Sequence, residues 1–191
     1  MSVHHRLYDR YSDAMAVIGR LHAARIPEDD ISVITPHDGT EQDLTDAPVA
    51  TATGSGIGAV LGGGAGTLAG VGLIAIPGLG PVVAAGWFAA LLAGAAAGAV
   101  AGGVAGGIVD ALTDNGMDAE TAQVYAEGIR RGGTLITVRA DASEDALVQR
   151  LLDQTPPVDM AARERLYREG GWRGFDPTAA AIDEANRQRS A

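Results

Sequence analysis

From Val3 to Tyr8 apolar and polar positions alternate, with Val3, His5 and Leu7 on one side, the period-two pattern of a strand. At Ser12 the spacing changes. Ala14, Val17, Ile18 and Leu21 recur every three or four residues, which predicts a helix capped by Ser12 and running to about Ala24. Past Pro27, ISVIT at 31–35 reads as a short β-branched strand. The same kinds of pattern return later in the chain. Asp118 caps a helix to about Arg131, Gly132-Gly133 stop it, and TLITVR at 134–139 is a strand. Ser143 caps a helix through Leu152 that Pro156-Pro157 break. Two more helices are expected over roughly 159–169 and 177–189, the last opened by Asp176-Pro177.

These elements form a β-α-β half and an α-β-α half. Neither can bury its own apolar strand and helix face, so the two together predict one small α+β layer domain. The expected boundaries are 1–36 for the first half, 37–53 for an acidic linker, and 54–109 for an inserted helical hairpin. The second half takes 110–155 and a helical tail takes 156–191.

The insertion carries the strongest signal in the chain. No charged residue occurs between Asp46 and Asp110, a run of 63 residues. Pro77-Gly78-Leu79-Gly80-Pro81 divides it with a tight turn, leaving arms over 54–76 and 82–109. Small residues recur at every fourth position: Gly54, Gly58, Gly62, Gly66 and Gly70 in the first arm, then Gly86, Ala90, Gly94, Gly98, Gly102 and Gly106 in the second. Residues four apart stack on one helix face, and a face without side chains lets a second backbone approach closely. Nine glycines in the first arm cost roughly 7–9 kcal/mol relative to alanine in an isolated helix, so packing must supply the stability.

Two environments could bury the remaining apolar faces. As helices the arms would span roughly 34 and 42 Å, enough to cross a bilayer core of about 30 Å. Trp87-Phe88 would then sit near the interface. Against this, the flanks carry Asp38, Glu41, Asp43, Asp46, Asp110, Asp114 and Asp118, and no arginine lies closer than Arg25 and Arg130, so the positive-inside rule gives no orientation. The alternative environment is other copies of the same hairpin, buried at the centre of a soluble particle.

Composition narrows the chemistry. The net charge is −10, which disfavours nucleic acid as a partner. There is no cysteine, and all 14 basic residues are arginine, so thiol chemistry, Schiff-base lysine and the P-loop lysine are excluded. The charged N-terminal stretch has no apolar core of a signal peptide, which predicts cytoplasmic termini. His4 and His5 are adjacent on a strand and face opposite sides, so they do not predict a shared metal. Glu28, Asp29 and Asp30 read as turn residues before a strand. Arg130, Arg131, Arg163, Arg165 and Arg168 interleave with Glu127, Glu164 and Glu169 as a solvated helix face. GVGLIA at 70–75 meets the spacing of a dinucleotide fingerprint without its strand–turn–helix context or its acidic residue. No catalytic residue, metal site or cofactor is predicted. In the tail, Trp172 and Phe175 stand among glycines and predict an anchor, docked first on its own domain and otherwise on a neighbour.

RIPEDDISVIT at 25–35, AETAQVYAEGIRRGGTLITVRA at 119–140 and GWRGFD at 171–176 resemble a bacterial general stress protein family, heat-induced proteins of the YflT type with glycine-zipper segments. The resemblance covers most of the chain, with the Gly/Ala-rich segment between the second strand and the next helix. It implies stress-linked expression and membrane association, and it carries over no established activity, cofactor or catalytic residue. The expected function is therefore a non-enzymatic stress-response protein that self-assembles through the hairpin, in or at the bacterial inner membrane. The alternative is a soluble homo-oligomeric scaffold. A ligand-binding or enzymatic α+β domain is the third reading.

Overall fold

The computed structural model describes residues 1–36, 72–76, 79–92 and 107–176. Its fold is α+β, as the alternation of patterns predicts. Five strands form one sheet: β1 (Ser2–Tyr8), β2 (Ile31–Pro36), β3 (Gly72–Ile76), β4 (Gly80–Ala85) and β5 (Thr134–Ala140). Their spatial order is β1-β5-β2-β4-β3, and every neighbouring pair is antiparallel.

Five helices complete the described fold: α1 (Tyr11–Ala23), α2 (Ile108–Asp114), α3 (Ala119–Arg130), α4 (Asp145–Asp153) and α5 (Met160–Glu169). Residues 87–92 are also helical. Strand alternation sends side chains to two cores. Leu7, Ile34, Val82, Ala84 and Leu135 meet 87–92, α2 and α3 on one face. Tyr8, Ile31, Ile136 and Val138 meet α1 and α4 on the other. Because β5 lies between β1 and β2, the β1-α1-β2 connection skips one strand. The β4-to-β5 connection likewise skips β2. Their described helices lie on opposite faces, so both faces of the sheet are covered.

The central segment requires a correction. Residues 72–76 and 82–85, assigned above to the facing arms of a helical hairpin, are extended, as are Gly80 and Pro81 of the expected turn, and the two stretches pair with each other. β4 then pairs with β2 from Val33↔Ala85 to Pro36↔Val82. Local composition explains this. Leu73, Ile74, Ile76, Val82 and Val83 favour a pleated surface, and β2 offers a ladder that an isolated glycine-rich helix lacks. Pro81 lies one position beyond the β2–β4 ladder, where its missing N–H breaks no bond to β2.

Gly86 is no part of a helical stripe either. It has φ +88, and a Cβ there would stand 2.8 Å from the Ser32 Cα. Only glycine fits this close, left-handed turn. Its carbonyl accepts the first helical bond from Ala90 N–H (3.3 Å), and Ala90 itself is exposed. Gly54, Gly58, Gly62, Gly66, Gly70, Gly94, Gly98, Gly102 and Gly106 lie outside the described residues, as do the acidic linker from 37 to 53 and the helix expected over 177–189.

Smaller differences concern boundaries. Asp118 caps α3 by accepting from Thr121 N–H (2.9 Å). Ser12 and Ser143 do not cap: α1 begins at Tyr11 after Arg10, and α4 begins at Asp145 after Glu144. α2 crosses the expected boundary at 109, because Ile108, Ala111 and Leu112 bury a helical face in the core it shares with α3.

Candidate functional site

Two groups of side chains join distant parts of the chain. The first is the seam between the central segment and the rest of the domain. Trp87 follows the Gly86 turn and donates its Nε1–H to the Asp30 carbonyl (3.2 Å). Arg139 lies 4.7 Å from the Trp87 ring centroid. The same arginine donates to the Asp30 carboxylate (2.9 Å) and the Asp29 carbonyl (2.8 Å). Asp30 is thus more than a turn residue, since it ties β5 and the central segment to the start of β2.

Phe88, fully buried, packs edge-on against Trp87 and against the His5 ring, with a centroid separation of 6.1 Å to His5. His5 Nδ1 is 3.1 Å from the Thr137 hydroxyl. Ser32, next in the same cross-strand row, donates to the Ala85 carbonyl (2.5 Å). Burial pushes the His5 pKa down to about 4. The Asn115 backbone offsets part of that shift, and the nearby charges of His4 and Arg6 add to it.

The second group is the tail anchor. Glu127 is fully buried and accepts from Arg130 Nε (2.8 Å) and Arg131 Nε (2.6 Å). The solvated face expected for these residues is therefore a buried ion pair at its centre. A carboxylate that lost water needs both arginines, and they in turn grip the tail. Arg131 lies over Tyr167 at 4.4 Å, and Arg130 lies 5.9 Å from the Phe175 centroid. Trp172 packs edge-on against Tyr167, and its backbone N–H donates to the Tyr167 carbonyl (2.9 Å). Phe175 N–H donates to Gln123 Oε1 (3.2 Å). Beneath them Gly128 carries no side chain because a Cβ would overlap Leu7 Cδ2. The GWRGFD segment and the Gln123–Arg131 stretch meet in one intrachain contact, and Trp172 and Phe175 dock on their own domain.

A third cluster holds the residue types of a hydrolytic triad without its geometry. Asp145 Oδ1 is 2.8 Å from His4 Nε2 and also accepts from the Ser2 hydroxyl. The same ring nitrogen is 3.5 Å from Ser2. A triad needs the acid on one imidazole nitrogen and the nucleophile on the other. Here the carboxylate takes both donors, which holds its pKa below the ordinary carboxylate value, first through Ser2 and then through His4. The cluster fastens β1 to α4.

His4 and His5 do face opposite sides of β1, and both are buried. Among the described residues no group of three or more His, Asp or Glu side chains could hold a metal. The seam is hidden in the sequence because its members are 30, 87 and 139, and only pairing of β2 with both β4 and β5 joins them. Comparison with family models, with curated proteins and with solved structures finds no match to this chain.

Proposed function

We propose that this chain is a non-enzymatic bacterial stress-response protein whose α+β domain holds a charge-free segment that self-assembles. The stress-response setting rests on the resemblance of residues 25–35, 119–140 and 171–176. Self-assembly rests on the physical character of the segment. The observation that supports it most is the contrast between the two edges of the sheet. On β1 the His5 carbonyl accepts from the Tyr125 hydroxyl and Arg6, and the Leu7 carbonyl accepts from Val158 N–H. Side chains and the segment before α5 thus occupy the outward carbonyls of His5 and Leu7 on that edge. Among the described residues β3, GLIAI, ends the sheet on the other side, carries no charge, and meets no hydrogen bond along its outer side. An uncharged edge strand is a template for pairing, and natural sheets usually block one with charge or cover.

No helix among the described residues is long and apolar enough to cross a membrane. The apex of the segment is paired into the sheet, so a hairpin with its turn on the far side of a bilayer does not describe these residues. A second copy of the chain is therefore the favoured partner, and lipid is an outcome of the test.

The test is fractionation without detergent, followed by light-scattering mass on the soluble material. Self-assembly predicts a discrete mass of several chains. Leu73→Lys or Ile74→Lys should reduce it by charging the edge strand. Gly62→Leu and Gly98→Leu ask separately whether the small-residue spacing contributes. A monomer at all accessible concentrations contradicts the proposal. Quantitative pelleting with membranes, with release only by detergent, makes lipid the partner instead.

A further inference from the structure

His5, Thr137 and Ser32 form a polar row across three strands on a face that is apolar apart from Arg139 at its margin. Two members are bonded. Ser32 has the Ala85 carbonyl, and Thr137 has His5 Nδ1. The other ring nitrogen, His5 Nε2, is buried and meets no hydrogen bond of normal geometry from a described residue, although the Asn115 backbone lies close enough to favour a proton on the ring. A buried polar atom with no partner is uncommon and calls for a reason.

The charged and titratable groups about the ring include no carboxylate that reaches it. His4 and Arg6 flank it on β1, and Arg6 is engaged by Asp153. From α3, Tyr125 gives its hydroxyl to the His5 carbonyl rather than to the ring. On β5, Arg139 shares the face two positions from Thr137 and is engaged by Asp30. Asn115, at the end of α2, contributes only its backbone. None of these offers a carboxylate to an imidazolium. A proton on His5 would thus place under an apolar cover a charge that only the Asn115 backbone meets.

That cover is Phe88. It belongs to residues 87–92, the first turns of chain leaving β4, whereas α3 on the same face is anchored by the Glu127 ion pairs and the tail. Water reaches the ring at least cost when 87–92 lifts away. Phe88 would then leave the sheet face, and Trp87 would part from Asp30 and Arg139. We propose that His5 is an acid-sensitive latch: protonation of its ring releases residues 87–92 from the sheet and frees that end of the central segment, while the remaining domain stays folded. The latch concerns how the segment is held and does not require the segment to assemble.

The chain has two tryptophans, one at each joint. Trp172→Phe leaves Trp87 as the only reporter, and the Trp172 Nε1–H has no hydrogen bond to lose. Emission of this variant is followed from pH 7.5 to 3.5 beside far-ultraviolet circular dichroism. The latch predicts a red shift centred near about pH 5, between the free and buried histidine values, with the dichroism retained. Adding His5→Gln should move the midpoint down by about one unit or abolish it, whereas His4→Gln should leave it in place. Hydrogen exchange on the unsubstituted chain gives an independent reading. After correction for intrinsic rates, amides of 87–92 should lose about tenfold protection between pH 7 and 5 relative to those of Ala119–Arg130. An unchanged transition in the His5→Gln variant overturns the latch. So does loss of both signals together, or equal loss of protection in 87–92 and α3.

Discussion

Gly86 and Gly128 both stand where another strand passes too closely for a side chain, yet one ends a strand and the other lies within a helix. At Gly86 the obstacle is the backbone of β2, and φ is +88. At Gly128 the conformation is helical, and the obstacle is the movable end of Leu7. Both have a small residue four positions on: Gly128 has Gly132, and Gly86 has Ala90. Identical spacing therefore serves two different geometries. What separates them is the neighbourhood. Gly128 is flanked by Val124, Tyr125 and Ile129 at helical intervals with a capped start at Asp118, whereas Gly86 follows Val82-Val83 and has no upstream cap.

The comparison predicts an ordered series of stability losses by chemical denaturation. Gly86→Ala should be the most damaging, about 3–5 kcal/mol, since left-handed strain adds to overlap with fixed backbone. Glu127→Ala should cost about 3 kcal/mol, the low end for breaking a buried pair, because Arg131 can turn to water. Glu127→Gln should lose less. Gly128→Ala should cost about 1–2 kcal/mol, because Leu7 can shift and alanine favours the helix. If Gly128→Ala proves worse than Gly86→Ala, the contrast between fixed and movable obstacles is wrong. Asp118→Ala, which removes one cap bond, should be the mildest at about 1 kcal/mol.

Acid provides a further separation of the two regions. The folded pKa of His5 is lowered to about 4 from 6.5, so the unfolded chain binds the proton first. Stability from this group is complete above about pH 6.5 and falls as pH drops toward 4, by up to about 3 kcal/mol. The seam carries that loss. Denaturation midpoints measured at pH 7 and 4.5 should differ less in a His5→Gln background than in the parent chain.

Much of the domain is legible in the sequence because local and tertiary preferences agree. The alternation of Val3–Tyr8, the β-branched ISVIT run and the Asp118 cap each specify an element without outside help. The 72–85 segment is not legible in this way. Its glycine spacing continues a helical period from Gly54, while its Leu, Ile and Val residues also suit strands. Only the ladder offered by β2 decides between them, and that partner lies 36 or more residues earlier in the chain. Glu127 misleads for a related reason: its charged neighbours suggest solvent, but the tail returns to cover it. His5 gives one true signal, its place on the Val3–Leu7 side of β1, which puts it among core residues.

The chain has no cysteine, so its strand pairing can be tested by one cross-link. Val33 and Ala85 are direct partners in β2 and β4. Antiparallel partners hold their Cα atoms about 4.5–5.5 Å apart, within disulfide range. The double variant Val33→Cys with Ala85→Cys should oxidise to an intrachain disulfide at low protein concentration, seen by intact mass and non-reducing electrophoresis, with the denaturation midpoint preserved. If those cysteines remain free under oxidising conditions while the domain is folded, the apex of the charge-free segment does not belong to the sheet, and the helical hairpin returns as its structure.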